Sequence, residues 1–371
     1  MLQPSKKSRI IRHKPDYLIA ILALILTSIG LTVIYSIGSN IRFNLTSGLD
    51  QTNIYFSRQV ISLIIGLAGM LIASQINYKY YQKFALPILG ISVILILSLL
   101  IDGLAQTVNG ATRWIAIGPI NLQPTEIFKL AIIIYLARQL SRNPGQKTWI
   151  TLISIIMVFL LVTLLQRDLG SSLILILEIL SIYWLSGAKI REVILIIGIL
   201  LSGVVMMIAI EPFRLQRVLT FLGESNDPSG AGYHIQQALI ALGSGSITGR
   251  GLGNSIQIFG YLPEAHTDSI FAVIGEQLGL VGSLIIGALF IFLILRTTRL
   301  ITKAPDNFSQ FMVIGIISWI ALQTLMNIGA MVGLVPLTGI PLPFISYGGS
   351  NLIINLIAIG ILINISKYTK A

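Results

Sequence analysis

Between Tyr17 and Ser366 the chain is a succession of apolar runs, each about the length of a membrane crossing, separated by polar breaks of unequal length. A helix needs about 20 apolar residues to cross the hydrocarbon core of a bilayer, and only helices and closed barrels satisfy their backbone there. Ten such segments are predicted: 17–38, 58–75, 84–101, 124–140, 149–165, 170–186, 193–210, 269–295, 310–335 and 347–366. Composition agrees, with 54% hydrophobic and only 11% charged residues, against roughly 25% charged in a soluble domain. The expected fold is an all-α integral membrane protein of about ten transmembrane helices. It reads as one polytopic domain over 1–371, with a basic tail at 1–16 and a large outer loop at 211–268 between the seventh and eighth helices.

The cations orient it. Ten crossings put both termini on one side. That side collects Lys6, Lys7, Arg9, Arg12, Lys14, Lys79, Lys83, Arg138, Arg142, Lys147, Lys189, Arg191, Arg296, Arg299, Lys303, Lys367 and Lys370, which is 17 of 25 Lys and Arg. By the positive-inside rule this is the cytoplasmic face. The net charge of +11 is therefore a product of topology, and nucleic acid is not needed to explain it. Of 14 acids only Asp16, Glu192 and Asp306 fall on the same side. The skew of the others points to a working outer face, or to solubility of the outer loops. The first span, with its basic flank, is too long for a removable signal peptide and is read as retained. The chain has no cysteine, which excludes disulfides, thiolate metal sites and cysteine nucleophiles. There are no inverted halves of the kind transporters show.

Chemistry concentrates in the polar breaks, since an ionisable residue at membrane depth is costly and marks a functional site by default. In YLPEAHTDSIFAVIGEQLGLVG (261–282), Glu264, His266, Asp268 and Glu276 gather at the mouth of an apolar helix. Asp268 is equally placed to be the N-cap of that helix, and Glu276, two turns in, is expected to face a polar interior. His13, His234 and His266 lack metal-ligand spacing. In the outer loop, 232–243 has a helical apolar rhythm and is expected at the interface. The glycines of GSGSITGRGLGNS (243–255) allow tight turns or a phosphate cradle. In GATRWIAIGPINLQPTEIFKL (110–130), Pro124 opens a helix, and Glu126 and Lys129 share a face. They read either as a self-neutralising pair or as a charged cavity wall. Arg167 and Asp168 occupy a short turn, Arg58 begins the second span and Arg113 lies in an outer loop; each arginine alone reads as a headgroup contact.

Together the blocks HKPDYLIAILALILTSIGLTVIYSIGS, GATRWIAIGPINLQPTEIFKL, QRDLGSS, GRGLGNSIQIFGYLPEAHTDSIFAVIGEQLGLVG and PLTGIPLPFISYGGS resemble the SEDS proteins of bacterial shape, elongation, division and sporulation, the FtsW/RodA/SpoVE family. The likeness runs from the first span to the last. HKPDYL, GLGNS and YLPEAHTD bring it nearest the FtsW branch, with the RodA branch next. The chain departs from the family at QRDLGSS, where Gln-Pro-Asp-Leu-Gly is usual, and at HTDSIF, where Phe usually follows the Asp.

The resemblance implies a peptidoglycan glycosyltransferase that polymerises lipid II at the outer face of the bacterial plasma membrane. A lipid II flippase and a non-catalytic scaffold are the alternatives. Asp268 matches the family's essential aspartate and is expected to be the general base, or else a ligand for a divalent cation. Arg58, Arg113 and Lys129 would bind pyrophosphate, Glu126 would hold Lys129, and Asp168 would line the same cavity. Glu264, His266, Glu276 and Ser346 are further candidates, with PLPFISYGGS reading as a substrate contact or a re-entrant turn. Mg2+ or Mn2+ is the expected cofactor. A class B penicillin-binding protein, in a divisome or elongasome assembly, is the expected partner beside lipid II.

Overall fold

A computed structural model describes residues 10–38, 51–101, 105–108, 111–117, 120–142, 169–210 and 231–370. Its helices are α1 (Tyr17–Gly38), α2 (Gln51–Gln75), α3 (Tyr78–Ser98), α4 (Pro124–Arg142), α5 (Leu169–Leu185), α6 (Ile190–Ile210), α7 (Ala231–Ser244), α8 (Ile270–Lys303), α9 (Asn307–Met331) and α10 (Gly349–Ser366). Among the described residues six helices are long and apolar enough to cross a membrane: α1, α2 from Ile54, α3, α8, α9 and α10. Each expected segment coincides with a helix except 149–165, which lies outside the described residues. α2 and α8 outrun their apolar windows. The polar turn from Gln51 and the amphipathic turns to Lys303 continue the helix beyond the hydrophobic stretch.

The all-α expectation needs a small correction at both ends of the bundle. β1 (Ile10–Arg12) pairs antiparallel with β5 (Tyr368–Lys370), placing Ile10 opposite Lys370. At the other end β2 (Ala105–Val108), β3 (Ala111–Ile117) and β4 (Ile120–Leu122) form an antiparallel sheet. All but the seven-residue β3 are too short to leave a readable period in the sequence.

The β1–β5 end is tied by side chains as well. Arg296 Nε reaches Asp16 Oδ2 at 2.7 Å, and the Asp16 amide donates to Ser366 Oγ. Lys367 Nζ and Asn364 Nδ2 both donate to the Ser74 carbonyl, at 2.7 and 2.8 Å. Asp306 caps α9 in a capping box while accepting from the Tyr78 hydroxyl at 2.8 Å. The starts of α1, α3 and α9 and the ends of α2, α8 and α10 therefore share one end of the bundle, the end with the basic turns.

Lipid is as apolar as leucine, so membrane helices associate through close packing that small residues permit. Gly360 on α10 lies against the backbone of Met70 on α2, where any Cβ would collide with the Met70 carbonyl. Gly315 on α9 admits Ile133 of α4 and Ile182 of α5, and Trp319, one turn on, is wholly buried. The opposite faces present Leu71, Ile94, Leu284 and Leu325, all well exposed, as expected of surface that meets acyl chains.

The helix expected at 232–243 is α7, and it packs along the first turns of α8. Beyond it the chain closes on a break in α8 at Gly279, whose φ of 68° is left-handed. The amides of Arg250 and Gly251 donate to the carbonyls of Glu276 and Gln277. The amides of Leu280 and Val281 donate back to Ser246 and Ile247. The loop thus supplies the hydrogen bonds that the broken helix lacks. A Cβ on Gly249 or Gly279 would strike the facing backbone, so these glycines serve close approach as well as turning.

Gly360→Leu should lower the thermal unfolding midpoint of the purified protein, at a cost of about 1–3 kcal/mol or more for overpacking. Gly90→Ala is the control, because nothing lies within 4 Å of its would-be Cβ. It should be neutral or slightly stabilising.

Candidate functional site

The end opposite the basic turns holds the start of α2, the segment before α8 and the chain between α9 and α10. The pre-helical segment is shaped around Glu264, a non-glycine residue at φ 50°. A left-handed residue with a Cβ costs about 1–2 kcal/mol. Here its carbonyl accepts from the amides of Thr267 and Ser269, at 3.1 and 3.2 Å. Ser269 is buried, donates to the Pro263 carbonyl and lies 2.5 Å from His234 Nε2 of α7. Ser269 occupies the cap position of α8, so the alternative reading of Asp268 as N-cap is not realised. Asp268 is half-buried. Thr267 Oγ1 lies 2.8 Å from Glu264 Oε2 and 3.2 Å from Asp268 Oδ1, so one hydroxyl draws both carboxylates together.

Asn327, near the end of α9, fixes this segment. Its amide nitrogen donates to the Asp268 carbonyl and to the Ile340 carbonyl, both at 2.7 Å. One turn earlier Gln323 Nε2 donates to the Pro341 carbonyl at 2.8 Å. From the other side Gln59 of α2 donates to the Ser346 carbonyl and accepts from the Gly348 amide, both at 3.2 Å. The segment ending in PLPFISYGGS is thus a non-helical turn clamped by amide side chains. It carries Phe344 at φ 64°. Ser346 is buried, and its hydroxyl accepts from the Leu342 amide at 2.7 Å, which is a structural duty. The Tyr347 amide donates to the His266 carbonyl at 2.8 Å, joining the two segments.

Three rings converge here. Tyr55 lies 4.4 Å from His266 and 5.0 Å from Tyr347, centroid to centroid. Arg58, exposed one turn further along α2, lies beside the Tyr347 hydroxyl. Burial raises the Tyr347 hydroxyl above its ordinary value despite that arginine. Burial also lowers His266 below 6.5, with Glu264 opposing. Both groups are therefore neutral at neutral pH.

Glu126 and Lys129 are buried on the first turns of α4, 2.7 Å apart. Asn351 Nδ2 donates to Glu126 Oε2 at 3.0 Å. Lys129 Nζ donates to Gln323 Oε1 at 3.3 Å and sits 5.1 Å from the centre of the Trp319 ring. Trp319 Nε1 donates to the same Gln323 oxygen at 2.7 Å. Gln323 and Asn327 hold consecutive carbonyls of one turn, so the ion pair and the Asp268 segment share a scaffold. Glu276 faces the interior as expected and is engaged there. It accepts from the Ser255 hydroxyl and from the amides of Ile256 and Gln257, anchoring the outer loop. Arg113 lies on β3, half-buried, and Asp168 lies outside the described residues. No group of three or more Asp, Glu or His among the described residues forms a metal cluster.

Sequence reasoning passed over Tyr55, Gln59, Gln323, Asn327 and Asn351, and weighed His234 only as a metal ligand. A signal was present for the amides: Gln323 and Asn327, and Asn351 and Asn355, stand four apart in apolar spans, each pair on one helix face. Gln323 and Asn327 donate to backbone carbonyls, and Asn351 to the Glu126 carboxylate, in distant segments that sequence spacing does not reveal.

A helical bundle with a polar, part-open site at one end and basic turns at the other defines a multi-pass membrane protein. The sequence model of the cell cycle protein family FtsW/RodA/SpoVE matches residues 16–371, and the chain belongs to this family. Stage V sporulation protein E of Bacillus subtilis is 36% identical over 367 residues, covering 97% of this chain and 99% of that protein. The probable peptidoglycan glycosyltransferase FtsW of Geobacter metallireducens is 36% identical over 363 residues, covering 96% and 95%. Among solved structures, a chain of a peptidoglycan synthase complex that coordinates polymerization and crosslinking superposes with a TM-score of 0.77 at 24% identity, covering 95% and 97%. The rod shape determining protein RodA of Thermus thermophilus gives 0.69 at 23% identity, covering 95% and 96%. The fold is RodA-like.

Asn327→Leu should loosen the Asp268 segment while the bundle stays folded. Two hydrogen bonds are lost and their carbonyls left unpaired, at about 1–3 kcal/mol per buried group. Hydrogen exchange at residues 264–269 should rise more than in α10. A pH effect follows from His266. Its folded value is lowered, so its contribution to stability is complete above about 6.5 and is lost as pH falls below that. The thermal midpoint should drop on acidification from pH 6.5, and His266→Gln should blunt that drop.

Proposed function

We propose that this protein is a peptidoglycan glycosyltransferase that polymerises lipid II at the outer face of the plasma membrane, with both termini in the cytoplasm and ten spans in all. The observation that carries the reading is Asp268: a half-buried carboxylate, fixed through its own carbonyl by Asn327, at the end of the bundle opposite the basic turns. The positive-inside rule puts that end outside. The named relatives supply the reaction class.

In this reaction the 4-hydroxyl of a GlcNAc attacks the anomeric carbon of a MurNAc, and undecaprenyl pyrophosphate leaves. The hydroxyl must lose its proton as the bond forms. Asp268 accepts it, a contribution of about 10²–10⁴ in rate for a positioned base. Negative charge grows on the leaving diphosphate beside the membrane. Arg58, held against Tyr347, and Lys129, held by Glu126 and Gln323, offset it electrostatically, with Arg113 on the outer sheet and Asp168 completing the proposed set. Tyr55, Tyr347 and the neutral His266 ring offer apolar faces on which a sugar can rest.

In the alternative to base catalysis, Asp268 would instead hold a divalent cation, which the residues fit. Asp268 and Glu264 offer hard oxygen donors around one hydroxyl, and Mg2+ commonly takes one or two carboxylates and completes its shell with water and substrate phosphates. Such an ion would neutralise the diphosphate. We further propose a class B penicillin-binding protein as partner, a reading supported by the solved complex that couples polymerization to crosslinking.

Reconstituted protein given lipid II, with and without that partner, should make glycan strands that a muramidase digests. Asp268→Asn should lower turnover by about 10² or more with the thermal midpoint unchanged, and Lys129→Ala should raise KM. Chelation should slow the reaction and Mg2+ restore it. Lipid II scrambling without polymer would overturn the assignment in favour of a flippase. Normal turnover by Asp268→Asn would remove the base.

A further inference from the structure

Glu178 has no place in the site just described, yet it is the most anomalous charge in the bundle. It lies in the middle of α5, nine residues from Leu169, or about 14 Å along the axis at 1.5 Å per residue. Its exposure is 0%, and neither carboxylate oxygen has a hydrogen-bond partner among the described residues. It stands within electrostatic reach of Lys129 and Glu126, on a helix that packs against both α4 and α9.

The charges around it do not balance. Lys129 is already committed to Glu126 at 2.7 Å, and Glu126 takes a second donor from Asn351. That pair is neutral as a unit. An ionised Glu178 would add a whole unpaired negative charge in a membrane interior, without a single donor to it, and an isolated buried carboxylate neutralises instead. Among the described residues, the groups facing it from the neighbouring elements offer no further cation. α4 contributes Glu126 and Lys129. α9 has no ionisable residue after Asp306. α6 has none between Val193 and Ile210.

We propose that Glu178 is a positioning residue that carries a proton in the working protein and thereby keeps the surroundings of Lys129 free of net negative charge. The proposal rests on the reading that Lys129 faces an anionic diphosphate. With Glu178 neutral, the ammonium is shared only with Glu126, and an entering diphosphate meets no uncompensated anion. Ionising Glu178 adds like charge beside the ligand and gives Lys129 a second carboxylate to turn to. Both effects weaken diphosphate binding, and neither touches the proton transfer at Asp268. The consequence is an alkaline limb in KM rather than in kcat.

Two measurements test this separately. The first is independent of catalysis: infrared difference spectra of wild type and Glu178→Gln in bilayers at neutral pH, with no substrate. A protonated-carboxyl C=O band should be present in wild type, shift in deuterium oxide and vanish in the variant. Its absence from wild type would overturn the proposal, whatever the protein's reaction proves to be. The second is the pH dependence of KM for lipid II polymerisation. Wild-type KM should rise on the alkaline side by up to about tenfold per pH unit, the limit for one proton, while the Gln variant shows a flatter rise. At neutral pH the Gln variant should keep wild-type kcat and KM, and its thermal midpoint should be equal or higher. Parallel KM profiles, or a folded Gln variant that has lost turnover at neutral pH, would sink the idea. No polymer from wild type, with the carboxyl band in place, would remove the polymerase reading and leave the protonated Glu178 standing.

Discussion

Backbone that leaves a helix within the bilayer has no water to turn to, so its carbonyls and amides must find partners inside the protein. Gln59, Gln323 and Asn327 supply those partners. Between them they hold Ile340, Pro341, Ser346 and Gly348 of the turn before α10, and the Asp268 carbonyl besides. Everything at the site end depends on this. Without the amide clamps the turn could not stay non-helical, Tyr347 would not meet His266, and Asp268 would have no fixed position. The same rule appears at Gly279, where the loop from Ser246 to Gly251 completes the broken ladder of α8.

Charge is handled by the same economy of partners. Glu126 and Lys129 form a pair whose remaining valences go to Asn351 and Gln323, which keeps its desolvation cost from being uncompensated. Gln323 is the joint of the design. It receives Lys129 and Trp319 on its oxygen and gives its nitrogen to the turn. The polar interior and the site are therefore one connected network, with Gln323 common to both.

At the opposite end, β1–β5 and the Asp16–Arg296 pair bind the first and last described segments together. This fixes both ends of the chain on the side of the basic turns.

The apolar runs alone determined the helices. Their lengths match what a bilayer demands, and polar breaks separate them, so α1 to α6 and α8 to α10 could be located wherever the structure describes the chain, although the starts of α2 and α3 and the end of α8 lie six to eight residues beyond the apolar runs. The polar breaks likewise announced Glu264, His266, Asp268 and the Glu126–Lys129 pair, because ionisable residues at membrane depth are rare and conspicuous. Which of them meet was decided only by the tertiary structure. Asn327 reaches Asp268 across 59 positions and Gln59 reaches Ser346 across 287, and no local period encodes a hydrogen bond at such a distance. The amides of α9 and α10 read as minor polar interruptions until the fold set carbonyls before them. Glu276 and Ser346, conspicuous in the sequence, were absorbed into loop anchoring by donors the sequence could not show. Apolar length is a property of a segment, legible in one dimension; polar satisfaction is a property of neighbours, and neighbours exist only once the chain has folded.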